Sequence, residues 1–111
     1  MADERMDLLQ GTLDALVLRA LVEGPRHGYA VSRWIHDRTD ATLRVDEAPL
    51  YKSLHRLEHD GCVEAHWGVS ENGRRARFYR LTPKGRRRLR SEQSDLVRYM
   101  TAVMKALRVD A

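Results

Sequence analysis

The chain has 111 residues, room for one compact domain and one further element, with 42% hydrophobic and 32% charged residues and a formal net charge of +4. One cysteine, Cys62, excludes an intramolecular disulfide and fits a reducing cytoplasm. Arg19 and Glu23 interrupt the most apolar stretch, and the first residues show no basic head before an apolar run, so neither a membrane span nor a signal peptide is expected.

Leu9, Leu13, Leu16, Val17, Ala20 and Leu21 recur at helical spacing and predict a first helix from about Asp7 to Glu23, ended by Gly24-Pro25. A second stripe, Leu8, Ala15, Leu18 and Val22, lies off that face and suggests a partner surface as well as a core. A second helix is expected from His27 to Arg38, with Ala30, Val31, Trp34 and Ile35 inward. A short strand can follow at Leu43–Val45. Asp46 suits the N-cap of a third helix, its carboxylate accepting from an orphan amide, and Pro49 is tolerated in the first turn. That helix runs to Asp60 and stops at Gly61.

The period then changes. Val63, Ala65, Trp67 and Val69 alternate with Glu64, His66 and Gly68, as in a strand. Asn72-Gly73 signals a tight hairpin, because both residues tolerate positive φ, and Arg74 to Leu81 forms the return strand. The adjacent Phe78 and Tyr79 leave its facing open. Trp34 and Trp67 are expected in the core. Thr82-Pro83 then caps a long helix. Its residues Leu89, Gln93, Leu96, Met100, Val103 and Leu107 follow a four-three alternation, widened by Val97 and Met104, which is the seam of a coiled coil. The expected division is a DNA-binding unit over residues 1–82 and a dimerisation helix over 83–111.

Three helices, a hairpin and a long helix give a mainly α fold with a small β-hairpin wing, the order of a winged helix-turn-helix. Leu50, Leu54 and Leu57 line one face of the third helix, and Lys52, His55, Arg56 and His59 fall opposite with Ala48, while Tyr51 lies at the flank. Long donors on an exposed face suit base edges and phosphates; a solvated amphipathic helix has the same pattern. The charge distribution shifts the balance toward the first, with a solvated charge run as the alternative. From Arg74 to Arg90 the chain carries nine basic residues and no interspersed acid among Arg74, Arg75, Arg77, Arg80, Lys84, Arg86, Arg87, Arg88 and Arg90. Arg74, Arg75 and Arg77 crowd beside a tight turn, where their repulsion is relieved by an anionic partner. Arg86, Arg87 and Arg88 sit against the dipole of the last helix and suit either phosphate contact or a solubilising face.

His55 and His59 stand four apart on one helical face, and Cys62 could add a third ligand, so a metal site is an alternative; against it, Cys62 opens a strand, where a small buried hydrophobe is expected. No phosphate-binding glycine loop, nucleophile elbow or carboxylate pair marks an enzyme. No cofactor is expected.

Specific motifs extend this reading. Leu8-Leu9-Gln10-Gly11-Thr12-Leu13, Gly24-Pro25 and His27-Gly28-Tyr29 resemble the opening of PadR-like transcriptional regulators. Leu50-Tyr51 with Leu54-His55-Arg56-Leu57-Glu58 resembles their recognition helix. Trp67-Gly68, Ser70-Glu71-Asn72, Arg74-Arg75-Ala76 and Tyr79-Arg80-Leu81-Thr82-Pro83 with Gly85 resemble their wing and the start of the last helix. The resemblance implies a cytoplasmic homodimer, usually a repressor, joined through the C-terminal helix and reading an inverted repeat of double-stranded DNA. Some relatives respond to phenolic or drug-like ligands; spacing alone draws no such pocket here. Ala48-Pro49 and Lys52 depart from the family pattern around the Leu-Tyr pair, removing a hydroxyl and an amide that could meet a phosphate. The expected contacts are Tyr51, Lys52, His55 and Arg56 in the major groove and Arg74, Arg75 and Arg77 on the backbone. The rivals are a sequence-independent DNA binder and a winged-helix module for protein contacts.

Overall fold

The computed structural model describes residues 6–7, as backbone, and residues 11–108. Its elements are β1 (Met6–Asp7), α1 (Leu13–Ala20), β2 (Arg26–His27), α2 (Gly28–Arg38), β3 (Leu43–Arg44), α3 (Glu47–His59), β4 (Val63–Val69), β5 (Arg75–Leu81) and α4 (Pro83–Leu107). The predicted order of three helices, hairpin and long helix is present.

The first helix is shorter than its pattern predicts. Gly11 takes φ +91°, outside the helical region, and Met6–Asp7 is extended, pairing in parallel with β3. The expected Leu8 and Leu9 positions lie outside the described residues. At the other end the Leu21 amide turns back to the Leu18 carbonyl, closing α1 before Glu23. The second apolar stripe faces the chain's own core: Ala15 and Leu18 are buried together with Val17, Ala20 and Leu21.

A third strand, absent from the sequence reading, joins the hairpin. β2 pairs with β5, giving the order β2-β5-β4. Its last residue, His27, doubles as the N-cap of α2, its Nδ1 accepting from the Ala30 amide at 3.2 Å. Asp46 occupies the N-cap of α3 with extended backbone, but its side chain makes no cap bond; the carboxylate lies 3.5 Å from Arg44 Nε instead. Gly61, at φ +76°, ends α3 as expected.

The register settles the facing of the hairpin. Val63 opposes Leu81, Ala65 opposes Tyr79, Trp67 opposes Arg77 and Val69 opposes Arg75, so these eight residues share one face. Tyr79 and Val63 are buried on it, and Phe78 takes the other face with His66. A Cβ at Gly68 would stand 2.9 Å from the Phe78 ring, so glycine makes room for that ring. The core gathers Val17, Leu18 and Leu21 of the first helical segment, Val31 and Ile35 of α2, Leu50, Leu54 and Leu57 of α3, then Cys62, Val63 and Tyr79.

The base of α4 belongs to this core. Thr82 caps the helix by accepting from the Gly85 amide at 3.0 Å and donates to the Gly61 carbonyl at 2.7 Å. Gly85 lies so close to the preceding loop that a Cβ would stand 2.0 Å from the Cys62 carbonyl oxygen. Leu89 is only 8% exposed and packs in the core cluster. The domain itself thus uses this side chain, the first of those expected along the dimer seam.

A polar joint ties the helices together beside that core. The Asp14 carboxylate of α1 accepts from Ser53 Oγ at 2.6 Å, from Arg56 Nε at 3.2 Å and from Arg88 Nη2 at 3.3 Å. Arg88 also donates to Asp60 and Glu92, both at 2.9 Å. Burial of Asp14 opposes its ionisation, but the hydrogen bonds from Arg56 and Ser53 and the charges of Arg56 and Arg88 outweigh it and hold the pKa below the ordinary carboxylate value. Arg88 is pushed upward, first by its bond to Glu92, and stays charged.

Two outcomes test this packing. Gly→Ala inside a helix normally stabilises by about 1 kcal/mol, whereas Gly85→Ala should destabilise by about 3 kcal/mol in denaturant melts, because the Cβ meets backbone. Asp14→Ala should cost about 1–3 kcal/mol at pH 7, since it strands buried Ser53 and two arginines. Because the folded pKa of Asp14 is lowered, its contribution is full above the unfolded value near 3.8 and is lost as pH falls through the lower folded value. The gap between wild type and variant in thermal melts should therefore close below about pH 4.

Candidate nucleic-acid interface

The two-sidedness of α3 follows from its sequence. Leu50, Ser53, Leu54 and Leu57 are buried, and Ala48, Pro49, Lys52, His55, Arg56 and His59 are exposed. Tyr51 sits between the two faces. Its ring lies over Gly28 at the start of α2, where a Cβ would come within 2.6 Å of the phenol oxygen. Gly28 thus makes room for the Tyr51 ring, a role that its place in the His27-Gly28-Tyr29 motif does not reveal. The Tyr51 ring also approaches His55, with centroids 6.5 Å apart.

Arg56 is placed differently from the expectation. It falls on the exposed side of the helix, but its guanidinium forks onto Asp14 and so points along the protein surface toward α1. The pair raises the Arg56 pKa, chiefly through the Asp14 hydrogen bond. Lys52 and His55 carry the exposed face without such a restraint among the described residues.

The wing extends the inner face of the sheet beyond the core. Its turn is closed by the Ser70 amide to the Arg74 carbonyl and the Gly73 amide to the Ser70 carbonyl, both 2.8 Å, with Gly73 at φ +76°. Trp67 is 60% exposed, which corrects its assignment to the core. The alternation that buries Val63 and Ala65 continues past the point where helices cover the sheet, so Trp67 and Val69 emerge from it. The Arg75 guanidinium stacks over the Trp67 ring at 4.6 Å, a cation–π contact that orders an otherwise flexible cation. Arg77 lies 6.0 Å over the Tyr79 ring and donates to Glu58 of α3 at 2.8 Å, linking wing and helix. Arg74 is exposed beside the turn.

Between wing and helices lies an open cleft of about 470 Å³, lined by His27, Tyr51, Trp67, Glu71, Arg74 and Arg77 among others. His27 is buried, and because its Nδ1 accepts from Ala30, the neutral ring carries its proton on Nε2. That nitrogen makes no hydrogen bond and lies 3.8 Å from the Glu71 carboxylate. Tyr51 of α3 and Arg74, Arg75 and Arg77 of the wing thus line one cleft, and Lys52 and His55 are exposed on the same helix as Tyr51. Such an array of donors and cations suits a polyanion.

The rest of the basic run divides by partner. Arg80 pairs with Glu64 at 3.0 Å and Arg88 is enclosed by acids, whereas Lys84, Arg86, Arg87 and Arg90 are exposed without an acid partner among the described residues. Cys62 is fully buried with Arg88 Nη1 3.8 Å from its sulfur, while His55 and His59 are exposed. Among the described residues no group of three His, Cys, Asp or Glu side chains is placed to hold a metal ion.

Beyond Leu89, α4 becomes progressively exposed. Gln93, Val97, Met100, Val103, Met104 and Leu107 are exposed and Leu96 is half-buried, with Met100 at 51% and Leu107 at 68%. No helix among the described residues is long and apolar enough to cross a membrane.

Comparison with known proteins places this architecture. A protein from Lysinibacillus sphaericus known only as protein X is 37% identical over 82 residues, covering 74% of this chain and 75% of that one. The transcriptional regulator Rv3488 of Mycobacterium tuberculosis is 38% identical over 71 residues, 64% of this chain and 52% of that protein. Among solved structures, a transcriptional regulator from Clostridium thermocellum superposes with a TM-score of 0.78 at 29% identity, covering 86% of this chain and 93% of that one. A PadR family regulator from Eggerthella lenta gives 0.74 at 30% identity, with 91% and 86% covered. The family model for PadR-like transcriptional regulators matches residues 17–91, and the chain belongs to that family.

Proposed function

We propose that the protein is a sequence-specific regulator that binds an inverted repeat in double-stranded DNA as a homodimer, acts as a repressor in the cytoplasm, and works by binding alone. Membership of a family of transcriptional regulators supports binding to DNA and a role in transcription. The observation that supports the finer reading is the cleft in which Tyr51 of α3 meets Arg74, Arg75 and Arg77 of the wing, with Lys52 and His55 exposed on the same helix.

In this reading Lys52 and His55 enter the major groove, with Tyr51 at the edge where its hydroxyl can reach a phosphate. Arg74, Arg75 and Arg77 hold the flanking backbone. Arg75 arrives ordered by the Trp67 ring, and a cation already confined loses less freedom on binding. Arg77 exchanges Glu58 for a phosphate, so it contributes less than a free arginine does. Arg56 stays with Asp14. The body over residues 1–82, with the base of α4, contacts DNA; the exposed seam from Gln93 through Leu96, Val97, Met100, Val103 and Met104 to Leu107 pairs with its symmetry mate.

Selection of duplexes from a random pool at about 0.15 M salt tests the whole reading, because weak exposed charge contacts are then largely screened. An inverted repeat with half-sites about one helical turn apart is expected. Retained DNA with no motif would instead mark a sequence-independent binder. Arg75→Ala should weaken binding to every duplex and lower the log–log salt slope by about 1. Lys52→Ala should change the preferred bases, which repeating the selection would read out. Met100→Glu should give monomers at micromolar concentration in sedimentation; a persistent dimer would remove α4 as the interface.

A further inference from the structure

Arg88 is the one member of the Arg86–Arg88 cluster that turns inward. Its guanidinium binds Asp14 of α1, Asp60 at the end of α3 and Glu92 one turn along α4. Asp60 is the C-cap of α3, so Arg88 also faces the negative end of that helix's dipole. Three carboxylates already engage this guanidinium, so its charge is answered within the protein. A cation placed against its own helix dipole is thus accounted for by the neighbours of α4 and not by a nucleic-acid contact.

The consequence is one of leverage. The base of α4 is held to the domain by the Thr82 cap, Gly85, Arg88 and Leu89, while from Val97 onward its described side chains are exposed. From Arg88 to Leu107 the helix rises about 28 Å, so a 10° tilt at its base displaces the far end by about 5 Å. That exceeds one base-pair step of about 3.4 Å. In a two-fold dimer joined along the far half, both protomers tilt, and the error between the two copies of α3 doubles. Gly85 and Leu89 fix the depth at which the helix sits. Arg88 reaches both α1 and the end of α3 through charged pairs, and so restrains its direction.

We infer that Arg88 is a positioning residue that sets the angle between α4 and the recognition helix, and through it the operator half-site spacing the dimer accepts. This rests on the dimeric, inverted-repeat reading given above. Adding one base pair between half-sites rotates one against the other by about 35°, so a rigid dimer accepts one spacing and a loosely hinged one accepts several.

The test uses the full chain and the inverted repeat that the wild type selects, with its spacer lengthened or shortened by one or two base pairs. Wild type should prefer one spacer by about tenfold or more, which is about 1.4 kcal/mol. Arg88→Met, which keeps the apolar stem, should flatten that preference while leaving the dimer and the affinity for an isolated half-site unchanged. Nitroxides on Asn72→Cys at the two wing tips should report a narrow distance distribution in the wild-type dimer and a broad one in Arg88→Met, without DNA. Asp60→Asn, which removes one partner at a less buried position, should show the same changes in smaller measure and decides the matter if Arg88→Met does not fold. Unchanged spacer preference and unchanged distance width in these variants would overturn the inference. A wild type that selects no inverted repeat would overturn the functional reading instead, and the label distances would still judge Arg88; a monomeric wild type would overturn both.

Discussion

A carboxylate half-enclosed by three helices cannot stay charged without partners, and Asp14 is such a group. Ser53 and Arg56 reach it from α3 and Arg88 reaches it from α4. The requirement that this charge be satisfied fixes how the three helices meet. It also decides which arginines face outward. Arg56 and Arg88 are drawn in, and the cations left for a partner are those of the wing, Lys52 and the outer side of α4's first turns.

The basic run from Arg74 to Arg90 is therefore not one patch of uniform strength. Arg77, Arg80 and Arg88 carry acid partners of different exposure, and Arg75 has an aromatic one. Surface pairs such as Arg80 with Glu64 are worth little to stability, but each lowers the positive potential that an anion meets. In the wing, Arg74 and Arg75 are the arginines without an acid partner among the described residues, and both line the cleft beside Tyr51.

Much of the fold could be read from local patterns, because local physics made it. The Asn72-Gly73 turn, the Thr82-Pro83 helix start, the Gly61 stop and the apolar side of α3 all depend on residues within a few positions of each other. The departures share a different cause. Arg56 and Asp14 are 42 residues apart and Arg88 and Asp14 are 74 apart, so no window along the chain reveals their pairing. Trp67 follows the same alternation as Val63, and only the extent of the helices beneath the sheet tells that it emerges from cover. Leu89 keeps the seam's spacing but lies where α4 still crosses the core. At the N-terminal end, Leu9 suits the helical period, but Gly11 breaks it. The family resemblance carried the wing and recognition helix as units; it did not carry the direction in which each arginine points.

The seating of Gly85 on the Cys62 carbonyl divides the last helix into two parts that face different pressures during descent. Near its base a single added methyl group collides with main chain, so change there is removed with the fold itself. In the far half, from Val97 to Arg108, the described side chains are exposed. Replacements there leave the body's packing intact. Duplicated genes can thus acquire new pairing preferences along α4, and separate into lineages that no longer assemble with each other, while each keeps an unaltered reading head.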